Sequence, residues 1–155
     1  MAAPSPLAPA RPPDLPPIAG VRLGAASCGI RYQGRPDVMV ALLEPGTSVA
    51  GVLTRSLTPG APVDWCRAAL PRGKARAIVV NSGNANVFTG RAGRKVVEET
   101  ARTMAGLAGC HPRDVFIAST GVIGEPPPGE KILAGLATAA KAASQTGWMA
   151  AAQAI

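Results

Sequence analysis

Two short apolar runs, residues 20–31 and 37–44 (DVMVALLE), lie on either side of the turn-forming stretch Gln33-Gly34-Arg35-Pro36, a pattern that predicts two strands joined as a hairpin. After the turn Glu44-Pro45-Gly46, residues 48–54 (SVAGVLT) predict a third strand. Residues 62–70 then read as a short helix with proline in its first turn. Residues 76–80 form a nearly unbroken apolar run, the pattern of a strand buried on both faces. From 92 to 107 the apolar side chains fall at Val96, Val97, Ala101, Met104 and Leu107, while Arg94, Lys95, Glu98, Glu99 and Arg102 occupy the opposite face. That spacing predicts an amphipathic helix. A further short strand is expected at 114–118 (DVFIA), a helix at about 130–142, and a last helix from Trp148 that is still running at Ile155.

Strand, loop, helix, strand, loop, helix over residues 76–142 is a crossover unit, and such units join parallel strands with a right-handed connection. Parallel strands send their following loops off the same edge, where ligands bind in open α/β sheets. The loops in question are NSGNAN (81–86) and STGVIG (119–124), both neutral and rich in small residues. Asn and Gly tolerate left-handed backbone angles, and Asn adds a donor and an acceptor on a short stem. The pair of loops therefore reads either as plain turns or as a pocket of backbone N–H groups with amide or hydroxyl side chains.

Composition narrows the setting. The chain has 155 residues, 47% of them hydrophobic but only 3% aromatic, so one domain with a core of Ala, Val, Leu and Ile is expected. Residues 1–17 are broken repeatedly by proline and read as a flexible leader ahead of an α/β domain over 18–155. Sixteen Lys and Arg against nine acids give a net charge of +7, but these charges are scattered and no aromatics interleave with them, so no nucleic-acid partner is expected. No window approaches the roughly 20 apolar residues of a membrane span, and a cytoplasmic protein is expected. Cys28, Cys66 and Cys110 are odd in number, far apart and outside any CxxC pattern, which predicts free thiols and no metal site. His111, the single histidine, neighbours Cys110 but precedes Pro112 and reads as a loop residue.

A neutral donor pocket can hold phosphate or stabilise a carbonyl oxygen that turns negative during acyl transfer. Neither GxGxxG nor GxxxxGK[ST] occurs, so a nucleotide site lacks its signature. For the oxyanion role Thr120 supplies a hydroxyl and Gly121 a backbone N–H unobstructed by a Cβ. A serine or cysteine nucleophile needs a base, and the lone histidine is poorly placed to be one. The base is then unconventional, such as an amino terminus, or the nucleophile lies outside these residues.

NSGNANVFTG together with STGVIGEPPP resembles the glutamate N-acetyltransferase/ornithine acetyltransferase family of arginine biosynthesis. GVRLGAASCGIRYQGRPDVMV resembles that family's opening segment and APVDWCRAAL its first helix. The resemblance implies the amino-terminal portion of a layered α/β sandwich and an acetyl relay. N-acetylornithine would acetylate a threonine, which passes the group to glutamate. Self-cleavage ahead of that threonine would make it the first residue of a second chain, with its own amine as base, in a hetero-oligomer of the two processed chains. Thr120 and Gly121 would form the oxyanion hole, and Asn81, Gly83 and Asn84 would shape an active-site loop. No cofactor is implied, though acetyl-CoA can serve the full enzyme as co-substrate.

The family continues past WMAAAQAI into a Met-Thr-Thr-Asp-Thr segment and the cleavage motif, so the chain reads as an amino-terminal fragment without the nucleophile, expected to be inactive alone. Pro127 stands where the family pattern has leucine. The competing readings are a catalytically inert small-molecule binding module or gene remnant, and a basic nucleic-acid-binding domain.

Overall fold

The hairpin forms, but with shorter strands and a longer connection than the apolar runs suggest. In the computed structural model, which describes residues 6–7, 11 and 13–155, β1 (Val21–Ala26) pairs antiparallel with β2 (Val38–Leu43). The expected leader over 1–17 falls partly outside the described residues. β1 stops at Ala26 instead of running to Arg31 because the Asp37 carboxylate accepts the N–H groups of Cys28 and Ile30, each at 2.6 Å. Those bonds draw residues 27–37 out of the ladder into a loop.

α1 (Ala61–Ala69) continues into a 3-10 turn at Leu70–Arg72 and is followed by β3 (Ala77–Asn81), α2 (Gly90–Ala108) and β4 (Val115–Ser119). α3 (Gly129–Lys141) and α4 (Trp148–Gln153) complete the order, α4 giving way to a turn at Ala154 instead of running on to Ile155. The sheet order is β1-β2-β3-β4, with β2 antiparallel to β3 and β3 parallel to β4 across α2.

Residues 48–54 are not a strand. Both sides of β2 are taken, by β1 and β3, and only an isolated bridge between Ser48 and Lys74 remains of the expected pairing. Val49 and Leu53 instead pack beside Phe116 and Cys66, while Val52 is fully exposed.

Side chains alternate across the sheet with period two, so each face can be read from the register. One face carries Val38, Val40, Ala77, Val79, Val115 and Ile117, which meet Val97, Ala101, Met104, Leu136 and Ala139 of α2 and α3 in the main core. The second face carries Leu23, Ala25, Met39, Ala41, Ile78, Val80, Phe116 and Ala118, without a polar residue among them. α4 covers it over Leu23 and Ala41, and α1 covers Phe116. Between them Ile78 and Ala118 are exposed, and a cavity of about 390 Å³ opens beside them, lined also by Val63, Cys66, Ala85 and Val87.

β4 is an edge strand, and α1 satisfies its outward polar groups. Trp65 Nε1 donates to the Val115 carbonyl at 2.9 Å, and Cys66 Sγ donates to the Ile117 carbonyl at 3.3 Å and accepts the Ile117 N–H at 3.5 Å. Such covering keeps the edge from pairing with another chain. Trp65→Phe keeps the packing and strips the buried Val115 carbonyl of its donor. It should cost about 1–3 kcal/mol, read as a lower urea midpoint. An unchanged midpoint would show that water replaces the indole.

Candidate active site

Three loops meet at the carboxyl edge of β3 and β4. As the crossover reading expects, 81–87 and 119–124 lie side by side. Thr120 N donates to the Asn81 carbonyl at 3.0 Å, Val122 N to Gly83 O at 3.4 Å, Ala85 N to Val122 O at 2.9 Å and Gly124 N to Val87 O at 2.9 Å. These bonds prolong the parallel ladder beyond the strands.

The third loop is 27–37, which sequence reasoning passed over as a simple turn. Its Asp37 carbonyl accepts Ser82 N at 2.9 Å, and Arg31 pairs with Glu125 at 3.3 Å across the rim. The signal that could have found it is an acid set flush against an apolar run, in PDVMV, where a strand's first residue has no need of a carboxylate.

The asparagines of NSGNAN are buried and turn inward. Asn81 Nδ2 donates to Asn84 O at 2.9 Å, and its Oδ1 accepts Ser119 Oγ at 2.6 Å. Asn84 Nδ2 donates to Glu125 O at 3.0 Å while its Oδ1 accepts Asn86 N at 2.9 Å. The amides that the sequence offers to a ligand thus bind the loops to each other. Burial without such partners would be costly, so the cluster is self-satisfied.

Gly83 and Gly121 are required by close approach as well as by backbone angle. Gly83 has φ +96°, and a Cβ there would lie 2.9 Å from the Arg31 Cβ. Gly121 has φ +131°, and a Cβ on it would overlap the Gly83 carbonyl carbon. The loops therefore stack backbone on backbone.

Two donors are left over. Between the bonded amides of Thr120 and Val122, the Gly121 N–H has no acceptor among the described residues, and neither does the Thr120 hydroxyl. Both residues are exposed. Adjacent, neutral and unengaged, they leave two hydrogen-bond donors open at this edge of the sheet.

No thiol is activated nearby. Burial, aided by the Asp37 charge and a hydrogen bond that the thiol donates to it, pushes the Cys28 thiol up to about 11, and burial also raises Cys66 and Cys110. Raised thiols are poor nucleophiles at neutral pH. His111 sits before β4, at the opposite end of that strand from Thr120, where its Nδ1 accepts Arg113 N at 3.0 Å and caps the 3-10 turn Pro112–Asp114. Cys28, Cys66 and Cys110 are free, and no group of three His, Cys, Asp or Glu able to hold a metal occurs among the described residues. No helix of the described residues is long and apolar enough to cross a membrane.

Fold and site together define an α/β protein with a neutral donor pair at the carboxyl edge of its parallel strands. The chain belongs to the ArgJ family, which residues 22–155 match. It is 57% identical over 157 residues to the arginine biosynthesis bifunctional protein ArgJ of Gluconobacter oxydans and 56% identical over 155 residues to that of Nitrobacter winogradskyi. These alignments cover 100% and 97% of this chain and 37% of each relative. Among solved structures it resembles the ornithine acetyltransferase of Mycobacterium tuberculosis complexed with ornithine, with a TM-score of 0.85 and 35% identity over 90% of this chain and 76% of that one. ArgJ of Bacillus halodurans superposes with a TM-score of 0.80 at 28% identity over 88% of this chain and 72% of that one. Its architecture is thus the α/β arrangement of the ornithine acetyltransferase structures.

Proposed function

We propose that the chain is the amino-terminal part of an acetyltransferase that moves acetyl from N-acetylornithine to glutamate, and that Thr120 and Gly121 are its oxyanion hole. The observation that carries this reading is the pair of unengaged donors, held in place by a glycine that nothing larger could replace. The family membership and the ornithine complex of a structural relative support it. In each half-reaction a carbonyl carbon is attacked and its oxygen gains negative charge, first as the acetyl group moves to a threonine and then as glutamate takes it. Donors already aimed at that oxygen need no reorganisation when the charge develops.

The nucleophilic threonine belongs to the portion of the relatives that this chain does not span, released at the head of a second chain by self-cleavage, and its own amine serves as base. The two chains form a hetero-oligomer. Asn81, Gly83 and Asn84 shape the active-site loop by holding 119–124 in register. No metal or cofactor takes part, acetyl-CoA is a co-substrate of the full enzyme, and the protein works in the cytoplasm. Ornithine release from N-acetylornithine in the presence of glutamate tests the proposal. It is expected from the full-length protein and not from the 155-residue chain, whose turnover alone would overturn the nucleophile assignment.

A further inference from the structure

We propose that Asp37 is a positioning residue for the Thr120–Gly121 donor pair, an inference that rests on the acyl-transfer reading above. Asp37 is fully buried. Its two carboxylate oxygens each take one backbone N–H, from Cys28 and Ile30, at 2.6 Å, and its carbonyl takes Ser82 N at 2.9 Å. One residue thus fixes the shape of the 27–37 loop and ties that loop to NSGNAN. No Lys or Arg pairs with it among the described residues, so its partners are backbone N–H groups and the Cys28 thiol.

The loop that Asp37 shapes is the floor of a stack. Ile30 and Arg31 lie directly against Gly83, where an added Cβ would sit 3.3 Å from Ile30 Cγ2 and 2.9 Å from Arg31 Cβ. Gly83 in turn abuts Gly121 and accepts Val122 N at 3.4 Å. The 30–31 segment meets Gly83 through the Arg31 Cβ and the Ile30 side chain, and Gly83–Asn84 meets Gly121 backbone on backbone. A close-packed stack of this kind passes a displacement on instead of absorbing it. Closing a hairpin requires only a short turn, and burying a charge without a cation is a costly way to do it. Setting the height of the Gly121 N–H accounts for that cost.

Asp37→Asn in the full-length enzyme keeps the size of the side chain and turns one acceptor into an NH₂ facing a backbone N–H. With N-acetylornithine and glutamate as substrates, kcat is expected to fall about 10²-fold, the scale of a misplacement near 1 Å, with KM little changed. In a Thr120→Ala background the same substitution should lose most of its effect, because both act on one oxyanion. Multiplicative losses in the double variant, or an unchanged kcat in Asp37→Asn, overturn the inference. Should Asp37→Asn not fold, Arg31→Gly removes the wall facing Gly83 from an exposed position and leaves the Asp37 bonds intact. Its kcat is expected to fall about tenfold with the same dependence on Thr120, and an unchanged kcat there overturns the inference equally. If Thr120→Ala alone leaves turnover intact, the oxyanion reading itself fails, a result separate from additivity between the two sites.

Discussion

Thr120→Ala in the full-length enzyme is expected to lower kcat about 10²–10³-fold, roughly 3–4 kcal/mol of transition-state stabilisation, with KM for N-acetylornithine nearly unchanged. The split follows from the geometry. The hydroxyl is exposed and unengaged in the resting protein, so it gains its partner only when the carbonyl oxygen becomes charged. For the same reason its loss should hardly alter stability, by less than about 0.5 kcal/mol, as for other surface substitutions. Steady-state kinetics together with a denaturation curve on the same preparation checks both halves. A variant with normal turnover would leave Gly121 without its partner donor and remove the role given to this loop.

The largest effect on folding is expected at Met104. Its side chain is fully buried in the main core, where α2 meets the sheet, and it is the largest such side chain among the described residues. The buried residues of that core are otherwise Val, Ala, Leu and Ile, with Trp65 packed at its margin. Met104→Ala should therefore cost about 2–5 kcal/mol, a large share of the 5–15 kcal/mol typical of a domain. Met104→Leu, which preserves volume, should cost less than about 1.5 kcal/mol. Urea midpoints of the two variants give the comparison, and a loss near 1 kcal/mol for alanine would mean that the small residues collapse into the gap.

What could be read from the sequence was set by periodicity. The 3.6-residue pattern at Val96, Val97, Ala101, Met104 and Leu107 placed α2, and the apolar runs at 76–80 and 114–118 placed the parallel pair, from which the meeting of two loops followed by topology alone. What could not be read depends on partners distant in sequence. Residues 48–54 carry apolar character but find no vacant strand to pair with, since β2 is already flanked. Asp37 looks like the first residue of a strand until the N–H groups of Cys28 and Ile30 are seen to converge on it. The asparagines advertise hydrogen-bonding capacity but not its direction, and only the folded loops show that Asn81 and Asn84 bind backbone. Thr120 and Gly121 differ from these in that no protein group among the described residues takes up the Thr120 hydroxyl or the Gly121 N–H.

The second face of the sheet gives this chain a thermodynamic character of its own. A sheet with one wet side carries polar residues at alternate positions, but here both sides read as core, and Ile78 and Ala118 remain in water between α1 and α4. Whatever binds that face in the folded state and not in the unfolded one adds its binding free energy to folding by mass action. A ligand or partner on that face would raise the urea midpoint with its concentration, whereas without one Ile78 and Ala118 keep part of their apolar surface in water.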